Sequence, residues 1–126
     1  MPDIAMHYAV KSNDNTHLLR EVLNQGCNFD CASKAEIEHV LSLGAKPQQI
    51  IYANPCKTED HIAYAKQVNV RLMTFDSIEE AEKIMQIFPD AELVLRIAVE
   101  ETDAPCPMGR KFGAPLELWD EILDGC

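Results

Sequence analysis

Two kinds of hydrophobic pattern take turns along this chain, and that alternation constrains the fold more than any other feature. Short runs rich in Val, Ile, Phe and Tyr, bounded by Asn, Asp, Gly or Pro, occupy residues 5–10, 28–31, 50–53, 71–75 and 92–99. Their length and composition are those of strands. Between them apolar residues recur three and four apart: Leu18, Leu19, Val22 and Leu23, then Ile37, Val40 and Leu41, then Ile62 and Ala65, then Ile78, Ala81, Ile84, Met85 and Phe88. That spacing lines one face of a helix. Start signals agree, with Asp14 or Asn15 before the first helix, Ser33 and Glu36 as a capping box for the second, Thr58 before the third, and Asp76 or Ser77 before the fourth. Gly26 and Gly44 sit where helices should stop. A fifth helix is predicted after Pro115, with Leu116, Trp119, Ile122 and Leu123 on one face.

Strands that alternate with helices demand a parallel α/β sheet. Two architectures compete. A doubly wound sheet of the flavodoxin type closes at about five strands, whereas a (β/α)8 barrel needs about 250 residues and would be half present in 126. Length alone favours the first. In either fold the chemistry belongs at the carboxyl ends of the strands.

A chain that is 47% hydrophobic and 25% charged is one globular domain or part of one. A formal charge of −10 argues against a sequence-independent hold on nucleic acid or on an anionic membrane surface. No apolar run approaches the roughly 20 residues that span a bilayer. The opening Met1-Pro2-Asp3-Ile4 lacks the basic-then-apolar design of a secretion signal, so a cytoplasmic location is expected. Cys27, Cys31, Cys56, Cys106 and Cys126 are odd in number and scattered, which suits reduced thiols better than a disulfide framework. His7, His17, His39 and His61 have no metal-site spacing with them, so no metal is expected.

The strand ends carry the candidate chemistry. The first strand runs through Tyr8 and Val10 into Lys11, whose ammonium would emerge at the functional edge. It is either a solvated lysine paired with an acid or a Schiff-base lysine, which needs its amine partly deprotonated so that it can attack an aldehyde. The second strand delivers Asp30 to the same edge, where it could simply pair with Lys11. After the third, Asn54 and Pro55 form a turn and Lys57 is expected to face solvent. Asp76, after the fourth, is expected to cap a helix rather than to act in catalysis. The fifth places Arg96 in an apolar run, and a buried guanidinium must find an anion, either a structural acid or an anionic ligand such as a phenolate.

Taken together, Tyr8-Ala9-Val10-Lys11-Ser12-Asn13, Phe29-Asp30-Cys31-Ala32-Ser33-Lys34-Ala35-Glu36, Ile50-Ile51-Tyr52-Ala53-Asn54-Pro55-Cys56-Lys57, Met73-Thr74-Phe75-Asp76-Ser77, Leu93-Val94-Leu95-Arg96-Ile97-Ala98 and Lys111-Phe112-Gly113 closely resemble the eukaryotic-type ornithine decarboxylase family, in family order. The resemblance covers nearly the whole chain. It weakens between Thr102 and Arg110, and Ser12 stands where the common form has Cys.

The resemblance overrides the length argument. It implies a partial (β/α)8 TIM-like barrel of the alanine racemase type, about five parallel strands alternating with helices, with residues 1–126 a pyridoxal-phosphate-binding barrel domain truncated at both ends. It implies that Lys11 holds pyridoxal 5'-phosphate covalently, that Asp30 lies near the lysine and cofactor, that Glu36 lies close by, and that Arg96 contacts the phenolic oxygen. Lys111 resembles a lysine that bridges a homodimer. The implied reaction converts L-ornithine to putrescine and carbon dioxide. By the same resemblance the phosphate loop, the acid at the pyridine nitrogen, the ring-stacking histidine, the proton-donating cysteine and the acids that grip the distal amine fall beyond Cys126, so the 126 residues alone are expected to be inactive.

Three alternatives stand beside this reading. A non-catalytic homologue of the antizyme inhibitor type would bind antizyme; it departs at the positions held here by Asp30 and Arg96. Relatives acting on arginine, lysine or diaminopimelate share the lysine strand. A receiver-like signalling domain suits the length, but it needs an acidic pair after the first strand and an Asp after the third, where this chain has Lys11-Ser12-Asn13 and Asn54-Pro55.

Overall fold

A computed structural model describes residues 4–99 and 112–124. Five strands, β1 (His7–Ala9), β2 (Asn28–Cys31), β3 (Ile50–Tyr52), β4 (Leu72–Phe75) and β5 (Glu92–Leu95), form one sheet in the order β1-β2-β3-β4-β5. All adjacent pairs are parallel. The helices between them are α1 (Thr16–Asn24), α2 (Lys34–Ser42), α3 (Glu59–Gln67) and α4 (Ile78–Ile87), and α5 (Trp119–Asp124) follows a 3-10 turn at Leu116–Leu118. A flavodoxin-type sheet places its first strand inside the order, as 2-1-3-4-5, and puts helices on both faces. Here strand order follows chain order, and α2 packs on α3 and α3 on α4 as one layer. That is the winding of a partial (β/α)8 barrel, so the doubly wound fold favoured by length is excluded.

The pairing divides the side chains between two faces. Phe29, Cys31, Ile50, Tyr52, Met73 and Phe75 are buried in one core with Leu19, Ile37, Val40, Ile62, Ala65, Ala81 and Ile84 of the helices. The register Ala9↔Asp30↔Ile51↔Leu72↔Glu92 runs along the opposite, inner face.

Local chemistry sets the boundaries. Asn15, rather than Asp14, caps α1 by accepting the amides of His17 and Leu18. Ser33 accepts the Glu36 amide as expected, but Glu36 Oε2 in return accepts the amide of Ala32 at 2.6 Å, one residue before the cap. Ser77 caps α4. Thr58 occupies the N-cap of α3 without a side-chain bond to its backbone; its hydroxyl bonds Asp60 and holds that carboxyl below its ordinary value. Gly26 and Gly44 take φ of 75° and 99° at the helix exits, a region that favours glycine.

Several expected limits move. β1 ends at Ala9 because Val10–Ser12 winds into a 3-10 turn, and β5 ends at Leu95, with Ile97 bridging to Ala114 beyond it. The face predicted for the last helix is only partly used: Ile122 is buried and Trp119 half-buried, while Leu116 and Leu123 are 68% and 59% exposed. Exposed Ile4 and Met6 before β1, and Val94, Ile97 and Val99 on and beyond β5, mark the outer margins of the sheet. No described helix is long and apolar enough to cross a membrane.

Candidate functional site

Lys11 sits on the turn that closes β1, exposed at the carboxyl edge. Side chains on either side hold this turn: Ser12 Oγ donates to the Ala9 carbonyl at 2.7 Å, Tyr8 OH donates to the Asn13 carbonyl at 3.2 Å, and Asn13 Oδ1 accepts the Asn15 amide at 3.0 Å. The backbone beneath Lys11 is therefore fixed while its amine makes no ion pair among the described residues. Ser12, the position that departs from the common form, does structural work here that a hydroxyl performs well.

Asp30 pairs with Ala9 across β1 and β2, which puts it on the inner face just short of Lys11. The ion pair with Lys11 that this shared edge would allow is not formed. Instead Asp30 Oδ1 is buried with no hydrogen-bond partner among the described residues, a costly condition for a carboxylate oxygen. Glu36 lies at the first turn of α2 on the same edge, engaged with Ala32. Burial, followed by the negative charges of Glu36 and Asp30, pushes the Cys31 thiol up to about 12. The two carboxylates thus flank the end of β2.

Arg96 follows β5 directly, and its backbone is fixed on both sides: its amide donates to the Phe75 carbonyl and its carbonyl accepts the Ala114 amide, each at 2.8 Å. Its side chain is half-buried rather than enclosed. Of the two anions that would suit it, a structural acid is not found among the described residues; the guanidinium lies over the Phe112 ring, 5.4 Å from its centroid.

Two strand-end residues behave differently from expectation. Lys57 is 3% exposed rather than solvated. Its Nζ donates to the carbonyls of Asn54 at 2.9 Å and Thr74 at 2.7 Å and pairs with Glu80 Oε1 at 3.0 Å, while Glu80 Oε1 also accepts the Lys57 amide at 3.1 Å. Lys83 pairs with the other oxygen of Glu80. This buried clamp ties the ends of β3 and β4 to α4, and burial lowers the Lys57 pKa despite Glu80. Asp76 neither caps α4 nor stands free: its Oδ2 accepts the Gly113 amide at 2.9 Å. Lys111, tied by resemblance to a dimer bridge, lies outside the described residues.

A family model described as "Pyridoxal-dependent decarboxylase, pyridoxal binding domain" matches residues 1–125. The chain belongs to the pyridoxal-dependent decarboxylase family. The ornithine decarboxylase of Caenorhabditis elegans is 50% identical over 124 residues, covering 98% of this chain and 29% of that protein. The probable ornithine decarboxylase of Dictyostelium discoideum is 46% identical over 124 residues, covering 98% and 27%. The crystal structure of the Paramecium bursaria Chlorella virus arginine decarboxylase matches with a TM-score of 0.95 at 38% identity, covering 99% of this chain and 34% of that one. The chain thus spans between a quarter and a third of the decarboxylases it matches.

The cofactor of this family's domain is pyridoxal 5'-phosphate, and the edge described above fits it. An exposed amine, together with a carboxylate oxygen and a guanidinium that find no polar partner or anion among the described residues, suits a ligand that bears an aldehyde and a phenolic oxygen. Among the described residues no group of three or more His, Cys, Asp or Glu could hold a metal.

The buried thiol gives a direct check. Cys31 is fully buried with its pKa at about 12, whereas Cys56 is exposed. Iodoacetamide at pH 8 should label Cys56 in the native protein and spare Cys31. Burial also pushes the Tyr52 hydroxyl from 10.0 up to about 12. Both groups therefore hold their protons in the folded state at pH values where the unfolded chain has lost them. Their contribution is complete below about 9 and should be lost as pH rises from about 9 to 12, which a series of denaturant midpoints measures. A stability flat across that window, or ready labelling of Cys31, would contradict the packing of β2.

Proposed function

We propose that this chain is the lysine-bearing portion of the pyridoxal-phosphate barrel of an ornithine decarboxylase, which turns L-ornithine into putrescine and carbon dioxide. One observation carries the reading: Lys11, Asp30 and Arg96 come to the carboxyl edge of one sheet without ion pairs among the described residues. Folding alone would compensate such groups; a ligand that complements them accounts for their state. The relatives at 46% and 50% identity are ornithine decarboxylases, and the arginine decarboxylase stands at 38%.

When bound, pyridoxal 5'-phosphate supplies an electron sink for the electron pair left as the carboxylate departs. Lys11 would hold the cofactor through Nζ on a turn that Tyr8 and Ser12 bond in place, and its amine, when not so engaged, would be the group at this edge able to carry a proton. Asp30 Oδ1 would accept a hydrogen bond from a donor brought to the site on binding and so hold that donor in place. Arg96 would orient the cofactor by donating to its phenolic oxygen, and Glu36 steadies the turn after Asp30 by accepting the Ala32 amide. The reading extends to a cytoplasmic homodimer, supported by the resemblance at Lys111 and, for the compartment, by the free thiols of Cys27, Cys31 and Cys56, with antizyme a partner that the family resemblance alone suggests. Retention of Asp30 and Arg96 favours an enzyme over the antizyme inhibitor type.

Substrate assays on a full-length decarboxylase carrying these 126 residues test the proposal. Carboxyl-labelled ornithine should release carbon dioxide at least about tenfold faster than lysine or arginine. Preference for another basic amino acid would move the substrate assignment, and no release from any of them would reject the enzyme.

A further inference from the structure

A chain of contacts links Asp76 to the ring that lies against Arg96. The register of β4 and β5, Phe75↔Leu95, sets Asp76 beside Arg96 at the next step, where a carboxylate would ordinarily neutralise the guanidinium. It does not. Asp76 Oδ2 is taken by the Gly113 amide at 2.9 Å, 37 residues along the chain. Gly113 has φ of 120°, and a Cβ there would lie 2.8 Å from the Ala98 nitrogen and the Ile97 carbonyl oxygen, so only glycine permits this approach. Ala114 then bonds to both sides of the strand, donating to the Arg96 carbonyl and accepting the Ala98 amide. Phe112, on the other side of Gly113, is thereby placed against the Arg96 guanidinium.

We propose that Asp76 is a positioning residue for the cofactor: by holding the Gly113 amide it sets Phe112 against Arg96, which leaves the guanidinium without an acid partner among the described residues and aimed at an anionic oxygen of the bound group. The inference rests on the proposed function of Arg96 and adds a role for a residue whose sequence position suggested only a helix cap. Asp76 acts through its acceptor oxygen, not its charge. An asparagine in its place keeps an acceptor for Gly113, while an alanine does not.

The test is a titration of pyridoxal 5'-phosphate into the apo form of a full-length decarboxylase carrying this chain, followed by absorbance, with apo stability measured in parallel. Asp76→Ala should weaken cofactor affinity about tenfold, Asp76→Asn should restore it, and Asp76→Ala combined with Arg96→Met should be no weaker than Arg96→Met alone. Phe112→Leu should reproduce the loss and be equally non-additive with Arg96→Met, which keeps the test open if Asp76→Ala fails to fold. Additive losses, equal losses in the Ala and Asn variants, or lowered apo stability with unchanged affinity would overturn the positioning role. Unchanged affinity in Arg96→Met would instead overturn the cofactor reading beneath it.

Discussion

Glu80→Ala is expected to cost a full-length decarboxylase carrying this chain about 3 to 5 kcal/mol of stability, the largest loss from any single side chain outside the apolar core. The Lys57 side chain has no solvent exposure, and Glu80 is the one carboxylate paired with it among the described residues. Removing Glu80 leaves an ammonium bonded only to the carbonyls of Asn54 and Thr74, and it deprives the Lys57 amide of its acceptor. Against a typical total of about 5 to 15 kcal/mol such a loss brings the domain close to unfolding. Replacing both partners, with Lys57→Met and Glu80→Gln together, should recover much of it, because no buried charge is then stranded.

The pH dependence gives the sign. Burial already lowers the Lys57 pKa from 10.5, and the loss of Glu80 removes the interaction that opposed this. The folded variant then binds fewer protons than the unfolded chain over the range below 10.5, so its stability rises with pH there. The deficit relative to the parent should therefore shrink as pH approaches 10.5, read from urea midpoints of both proteins. A deficit under about 1 kcal/mol, independent of pH, would mean that Lys57 is hydrated.

Lys11→Ala should have the largest effect on function. The residue is exposed and makes no ion pair among the described residues, so its removal strands nothing and should leave the apo denaturant midpoint unchanged. Turnover should fall by about a thousandfold or more, since both the covalent anchor and a proton carrier are lost. A variant that retains a tenth of parental turnover would assign the anchor elsewhere. A variant that loses stability instead would make Lys11 structural.

How much of this was legible in the sequence differs by element. The alternation of strands and helices was, because parallel strands covered by helices need continuous apolar runs and the helices need a 3.6-residue period. The choice between barrel and doubly wound sheet was not: it depends on strand order, which no local pattern encodes, and only the ordered family blocks decided it. Lys11 and Asp30 were visible as charges at strand ends. Lys57 was misjudged because its burial depends on Glu80, 23 residues away, on a helix whose acidic first turn reads as an ordinary solvated start. Arg96 was visible as a charge inside an apolar run that needs an anion, from a structural acid or a ligand, but its contact with Phe112 was not, because that ring comes from beyond the strand, next to the glycine that Asp76 holds.

The most direct test of the central claim, that the Lys11 edge is the pyridoxal-phosphate site, is peptide mapping after borohydride reduction of the full-length holoenzyme. The pyridoxyl label should be found on the peptide containing Lys11, in about one equivalent per chain, and should be absent from the Lys11→Ala variant. A label on a peptide without Lys11, whether that of Lys57 or one outside these 126 residues, would contradict the assignment.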